Sequence, residues 1–190
     1  MIRLFAAAIF CLIGAVAVPV SAAPGGEPRL TYIVPAAAES DDGTAVRPMM
    51  PDLVFADGSG MPQHLTQFRG QVVIVNFWSS SCAPCLKDLA ALDRLQGDYR
   101  SQSFSVIDLS EDAGTIAQVR AFLSRQKYGY LHPYADANGS IAQALGISSL
   151  PVSLVIDRQG RLAQKIQGSY PWESSATVAR LRHLLGMGVQ

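Results

Sequence analysis

Cysteine is scarce in this chain, with three among 190 residues. Cys11 lies inside an apolar N-terminal run, so the remainder holds only Cys82 and Cys85, separated by two residues. A structural disulfide framework needs more cysteines at wider spacing, and a structural zinc site needs two further Cys or His ligands at comparable spacing. His64, His132 and His183 are scattered far apart and read as ordinary core or surface side chains, so no metal site is expected. An excess of charge of either sign is also missing: Lys+Arg and Asp+Glu are 15 each, which removes the electrostatic case for a nucleic-acid partner. Arg94, Arg100, Arg120 and Arg125 do not cluster and read as solvated helix faces. The longest uncharged apolar run, Leu4 to Val18, has 15 residues, short of the roughly 20 that a bilayer-spanning helix needs.

What is present is the composition of a globular chain, 49% hydrophobic and 16% charged with a mean hydropathy of +0.20, long enough for one ordinary domain and a short extension. Met1 to Arg3 is a short positive start, and Val20-Ser21-Ala22 has the small-residue form that precedes a signal-peptidase cut. Residues 1–22 are therefore read as an export signal cleaved after Ala22, with an uncleaved N-terminal membrane anchor as the rival. Phe10 before Cys11 is too large for a lipoprotein cleavage site. Residues 23–50 are rich in Pro, Ala and Gly without an apolar period and read as a tether. The folded domain is expected over 51–190.

Within it, Asp52 to Phe55 reads as a short strand, and Gln71 to Trp78 as a central strand without a wet face. A helix follows from Cys82 to about Gln96, then a strand (Phe104 to Leu109), a helix (Gly114 to Lys127) and a short helix (Ser140 to Leu145). Two strands, Pro151 to Ile156 and Leu162 to Ile166, are joined by a tight turn at Asp157-Arg158-Gln159-Gly160, and a last helix runs from Trp172 to Leu185. Strands alternating with helices, then a hairpin and a final helix, predict an α/β sandwich with a mixed sheet flanked by helices.

The chemistry gathers at one strand-to-helix junction. Cys82 stands at the N-terminal end of its helix, where unpaired backbone N–H groups and the helix dipole stabilise a thiolate, so it is the expected nucleophile. One turn of helix returns Cys85 close enough to resolve a mixed disulfide, and Pro84 stiffens that turn beside Ala83 without removing a needed donor. A static disulfide closing so small a loop would remove little unfolded-state entropy.

Three stretches carry a resemblance to a known family: Val75-Asn76-Phe77-Trp78, Cys82-Ala83-Pro84-Cys85, and Ala144 to Asp157 with Leu150-Pro151 before the strand. Together they resemble the thioredoxin superfamily, specifically exported TlpA-like and ResA-like thiol:disulfide oxidoreductases, over about Pro51 to the C-terminus. The resemblance implies a thioredoxin-like three-layer sandwich and a redox-active Cys82–Cys85 disulfide needing no other cofactor. It also implies a cis peptide at Pro151 facing the sulfurs, with Leu150 offering backbone hydrogen bonds to a bound substrate chain. Asn76 stands where cytosolic-type thioredoxins carry a buried Asp, and an amide cannot take up a proton. Asp88, three residues after Cys85, resembles the active-site carboxylate of ResA-like proteins and is the expected base.

Ala83-Pro84 differs from the Gly-Pro of strongly reducing thioredoxins and the Pro-His of strongly oxidising exported proteins, so the motif alone leaves the direction open. The resemblance implies a periplasmic, monomeric reductase of exported protein disulfides, recharged by a membrane electron donor, with clients such as apocytochrome c or copper-insertion proteins. Competing readings are a disulfide-introducing oxidase using the same residues, a copper chaperone using Cys82 and Cys85 with Met49, Met50 or Met61, and a peroxidase. The last lacks the Pro and Thr that the peroxiredoxin family carries ahead of its nucleophile. Tyr170, Pro171 and Trp172 are expected to cap and pack the last helix, with a docking patch as the alternative.

Overall fold

The computed structural model describes residues 47–136 and 138–187; the expected signal and nearly all of the expected tether lie outside them. Strand β3 (Val72–Trp78) is buried at all seven positions, as a run that is apolar at every position but Asn76 requires. It pairs in parallel with β4 (Phe104–Ser110) and antiparallel with β6 (Val152–Ile156), and helix α1 (Ala83–Asp98) makes the crossover between β3 and β4. With β1 (Val54–Ala56), β2 (Pro62–His64), β5 (Tyr134–Ala135) and β7 (Leu162–Gln167), the sheet has seven strands in the order β2-β1-β5-β4-β3-β6-β7.

Alternation along the strands sends successive side chains to opposite faces, and both faces are covered. Val72, Ile74 and Trp78 of β3 join Leu89 and Leu92 of α1, Val119 and Leu123 of α2 (Ile116–Arg125) and Leu181 of α4 (Ser175–Leu184) in one core. Val73, Val75 and Phe77 face the other way and join Leu154, Met50 and Ile141 of α3 (Ser140–Ala144) in a second. The result is a three-layer sandwich with a mixed sheet, the thioredoxin-like architecture expected from the sequence. Burying each Leu or Val of these cores is worth about 1.5–3 kcal/mol.

Several boundaries differ from the sequence expectation. Helix α4 begins at Ser175 rather than Trp172 because Ser174 is its N-cap, its hydroxyl accepting from Thr177 N. Helix α2 begins at Ile116 because Thr115 and Gln118 form a reciprocal cap. Helix α1 runs through Gly97 to Asp98, and Gly97 is a packing residue: a Cβ there would lie 2.6 Å from the Tyr130 ring. Strands β2 and β5 lacked a sequence signature, having three and two residues. The packing also reaches back before Pro51, since Leu162 N donates to Pro48 O, Met50 N donates to Gly160 O, and the Met50 side chain is buried.

Candidate active site

Cys82 is the N-cap of α1, and its sulfur accepts a hydrogen bond from Cys85 N at 3.3 Å. Pro84 occupies the first turn, where its missing N–H costs no intrahelical bond. The two cysteines form a disulfide in which Cys82 is partly exposed and Cys85 fully buried. Ala83 and Pro84 lie exposed between them, so the sulfur that an incoming molecule meets is that of Cys82.

The loop that delivers Cys82 is held from the neighbouring strand. Asp112, just past β4, accepts from Ser79 Oγ at 2.6 Å and from Ser80 N at 2.9 Å, while Cys82 N donates to Ser79 O. Trp78 beneath the loop is buried, donates its indole N–H to Asp108 O at 3.1 Å and packs on Phe122 with ring centroids 5.3 Å apart. Phe77 pairs with Val152, which sets Pro151 level with Trp78 at the cysteine end of the sheet. The Leu150–Pro151 peptide is cis, and Leu150 packs against both cores.

Asp88 lies one turn beyond Cys85 and is buried, so it is not the exposed helix acid that its neighbour Lys87 would suggest. Ser169 Oγ and, at 3.4 Å, Tyr170 N donate to its Oδ1. Burial pushes the Asp88 carboxyl above the usual aspartate range; the Ser169 and Tyr170 hydrogen bonds, the nearby Trp172 indole N–H and the Lys87 charge oppose that shift.

Asn76 is buried in the centre of β3, its Oδ1 accepting from Ser153 Oγ at 2.9 Å while its Nδ2 makes no hydrogen bond. A buried carboxyl stands beside position 76 on the adjoining strand. Asp108 is paired in register with Asn76, is fully buried, and has neither side-chain oxygen hydrogen-bonded. Desolvation raises its pKa well above the ordinary value. Glu111, whose backbone N donates to Trp78 O, is pushed up to about 8 by burial and by the neighbouring Asp136.

The structure thus brings Trp78, Cys82, Ala83, Pro84, Cys85 and Asp88 onto one strand–loop–helix unit and sets Leu150 and Pro151 at the same end of the sheet. Met49, Met50 and Met61 do not join them. Met49 bridges to Arg161 and Met50 binds Gly160, at the β6–β7 hairpin end opposite the cysteines. Met61 lies in the β1–β2 turn, three strands from β3. Among the described residues no three His, Cys, Asp or Glu side chains are grouped to hold a metal ion. Trp172 is 1% exposed, so it packs the loop before α4 and offers no docking surface. Sequence reading missed Asp112, Ser169 and Asp108, which act across 33, 81 and one strand pairing respectively; only a structure supplies those partners.

The Redoxin family model matches residues 45–185. The thiol-disulfide oxidoreductase ResA of Bacillus thuringiensis subsp. konkukian is 34% identical over 119 residues, covering 62% of this chain and 67% of that protein. ResA of Geobacillus thermodenitrificans is 29% identical over 126 residues, covering 66% and 71%. Among solved structures, one provisionally named thiol:disulfide interchange protein DsbE, from Chlorobium tepidum, superposes with a TM-score of 0.65 at 25% identity over 74% of this chain and 97% of its own. A second from Chlorobium tepidum, a thioredoxin family protein, shares the fold with a TM-score of 0.59 at 21% identity over 76% and 99%. The chain belongs to the Redoxin family. Within it, the chain is a thiol-disulfide oxidoreductase of the ResA type.

Proposed function

We propose that this protein reduces disulfides of exported proteins in the periplasm, with Cys82 as the attacking and Cys85 as the resolving cysteine. The observation that carries this reading is the asymmetry of the pair: Cys82 partly exposed at a helix N-terminus, Cys85 buried one turn from the buried Asp88. In the reduced protein the Cys82 thiolate attacks one sulfur of a client disulfide, which breaks as the other client sulfur leaves and takes a proton from solvent. Asp88 then accepts the proton of Cys85, and the Cys85 thiolate attacks Cys82. The second client thiolate leaves, and the Cys82–Cys85 disulfide has formed with two electrons passed to the client.

Asp112 holds the loop that presents Cys82, and Leu150 and Pro151 form the neighbouring wall where an extended client chain would hydrogen-bond. A membrane donor of the thiol-reducing type returns the pair to the dithiol. By likeness to ResA-type proteins, the clients are maturing cytochrome c or proteins of copper-site assembly, met by a monomer that is free or tethered through its N-terminus.

The test is trapping. Cys85→Ser should accumulate a mixed disulfide through Cys82 with a cysteine-containing client peptide, and Cys82→Ser should accumulate none. Mixed disulfides that form equally through Cys85 in the Cys82→Ser protein would sink the assignment of roles.

A further inference from the structure

Two buried polar atoms at the site lack hydrogen bonds, Asp88 Oδ2 and the indole Nε1 of Trp172. They belong to one cluster. Asp88 Oδ1 is already taken by Ser169 Oγ and Tyr170 N, the Tyr170 and Trp172 rings meet edge-on at 5.0 Å, and the indole N–H lies near enough to the Asp88 carboxyl to favour its ionised form without bonding it. The loop carrying Trp172 is fixed to α1 and α4: Arg94 grips Glu173 with two hydrogen bonds of 2.6 Å, and Thr177 Oγ1 donates to Pro171 O. Lys87, on α1 itself, is the charged side chain acting on Asp88; from the β7–α4 side the groups facing it are the neutral Ser169, Tyr170 and Trp172.

With Oδ1 occupied by two donors, Oδ2 is the oxygen on which a proton rides. A protonated Oδ2 is itself a donor and turns the indole N–H away, whereas an ionised Oδ2 is an acceptor, and hydrogen bonds to a charged oxygen are roughly twice as strong as neutral ones. We propose that Trp172 is a positioning residue for Asp88, its indole N–H closing onto Oδ2 when the carboxyl ionises and releasing it when Oδ2 takes up a proton. The exchange consumes nothing: the proton that opens the contact is the one that leaves the Cys85 thiol. This inference rests on the reading of Asp88 as the base for Cys85.

The experiment is a pH titration of the two indole N–H signals by proton–nitrogen NMR on the full chain. Trp78, whose Nε1 donates to a main-chain oxygen, is the internal reference. The Trp172 signal should move downfield as pH rises, with a midpoint above the ordinary aspartate value of about 3.9, and should stay still in Asp88→Asn. Trp172→Phe should move the midpoint of the resolution rate to higher pH, lowering the rate about threefold or more below that midpoint and leaving the high-pH plateau unchanged. A Trp172 signal that does not move while the Asp88 carboxyl carbon titrates would overturn the inference and leave Asp88 as base. A resolution rate that keeps its pH profile in Asp88→Asn would overturn the base assignment and the positioning role together. The NMR arm needs no Trp172 variant, so misfolding of Trp172→Phe does not remove the test.

Discussion

At the β6–β7 hairpin end of the sheet the charged groups of Arg47, Arg69, Asp157 and Arg158 all have partners. Arg158 donates to Gly70 O, Arg69 to Gln159 O, and Asp157 accepts from Gln159 N and Arg161 N while facing Arg47 at 3.5 Å. At the cysteine end and one step beneath it, buried polar atoms are left over: Asp88 Oδ2, Trp172 Nε1, Glu111 Oε1, Asn76 Nδ2 and both oxygens of Asp108. Unpaired buried groups cost about 1–3 kcal/mol each, so one end of the molecule is arranged for stability and the other carries groups able to change protonation.

The contrast breaks most completely when the sulfur is removed. Cys82→Ser should abolish disulfide reduction, a loss of at least about a thousandfold in an insulin-reduction assay, with the thermal midpoint of the dithiol form nearly unchanged. Asp88→Asn should slow resolution by about a hundredfold, the usual worth of a positioned base, measured as decay of the mixed disulfide after rapid mixing.

Asp108 tests the cost of the unpaired groups directly. Its folded-state pKa is raised, so the native state holds a proton that the unfolded chain releases above about pH 3.9. Stability from this group is complete below that pH and is lost as pH rises toward the folded-state value. Asp108→Asn should therefore flatten the decline of stability with pH and leave the protein about 1–3 kcal/mol more stable at pH 8, read from urea midpoints. Glu111 follows the same sign between about pH 4.5 and its raised value of about 8, and because it is partly solvated Glu111→Gln should recover only about 1 kcal/mol. The smallest effect belongs to the other end: Arg158→Ala should change stability by less than about 1 kcal/mol and activity not at all.

The same contrast explains what could be read from residue order. The six apolar residues among the seven of β3, the cysteine spacing and the Pro84 turn are local signals, and they located the strand–loop–helix unit and its two sulfurs. The helix starts at Thr115 and Ser174 rest on cap hydrogen bonds that a propensity reading blurs by a few residues. Strands β2 and β5 are held by tertiary pairing and have too few residues to show a period. The environment of Asp88 was out of reach because Ser169 lies 81 residues away; from sequence, resemblance alone marked Asp88 as the base, and nothing in the Lys87-Asp88 pair signals its burial. Asp108 was hidden for a related reason, since only the register of β3 against β4 sets it beside Asn76.

The central claim is that the cysteine end works as a reductase, and the equilibrium reduction potential of the Cys82/Cys85 pair, followed by thiol alkylation in glutathione buffers at neutral pH, tests it most directly. A value near or below about −220 mV is expected; a value near about −120 mV, that of the strong exported oxidant, would contradict the account and make this protein a disulfide donor.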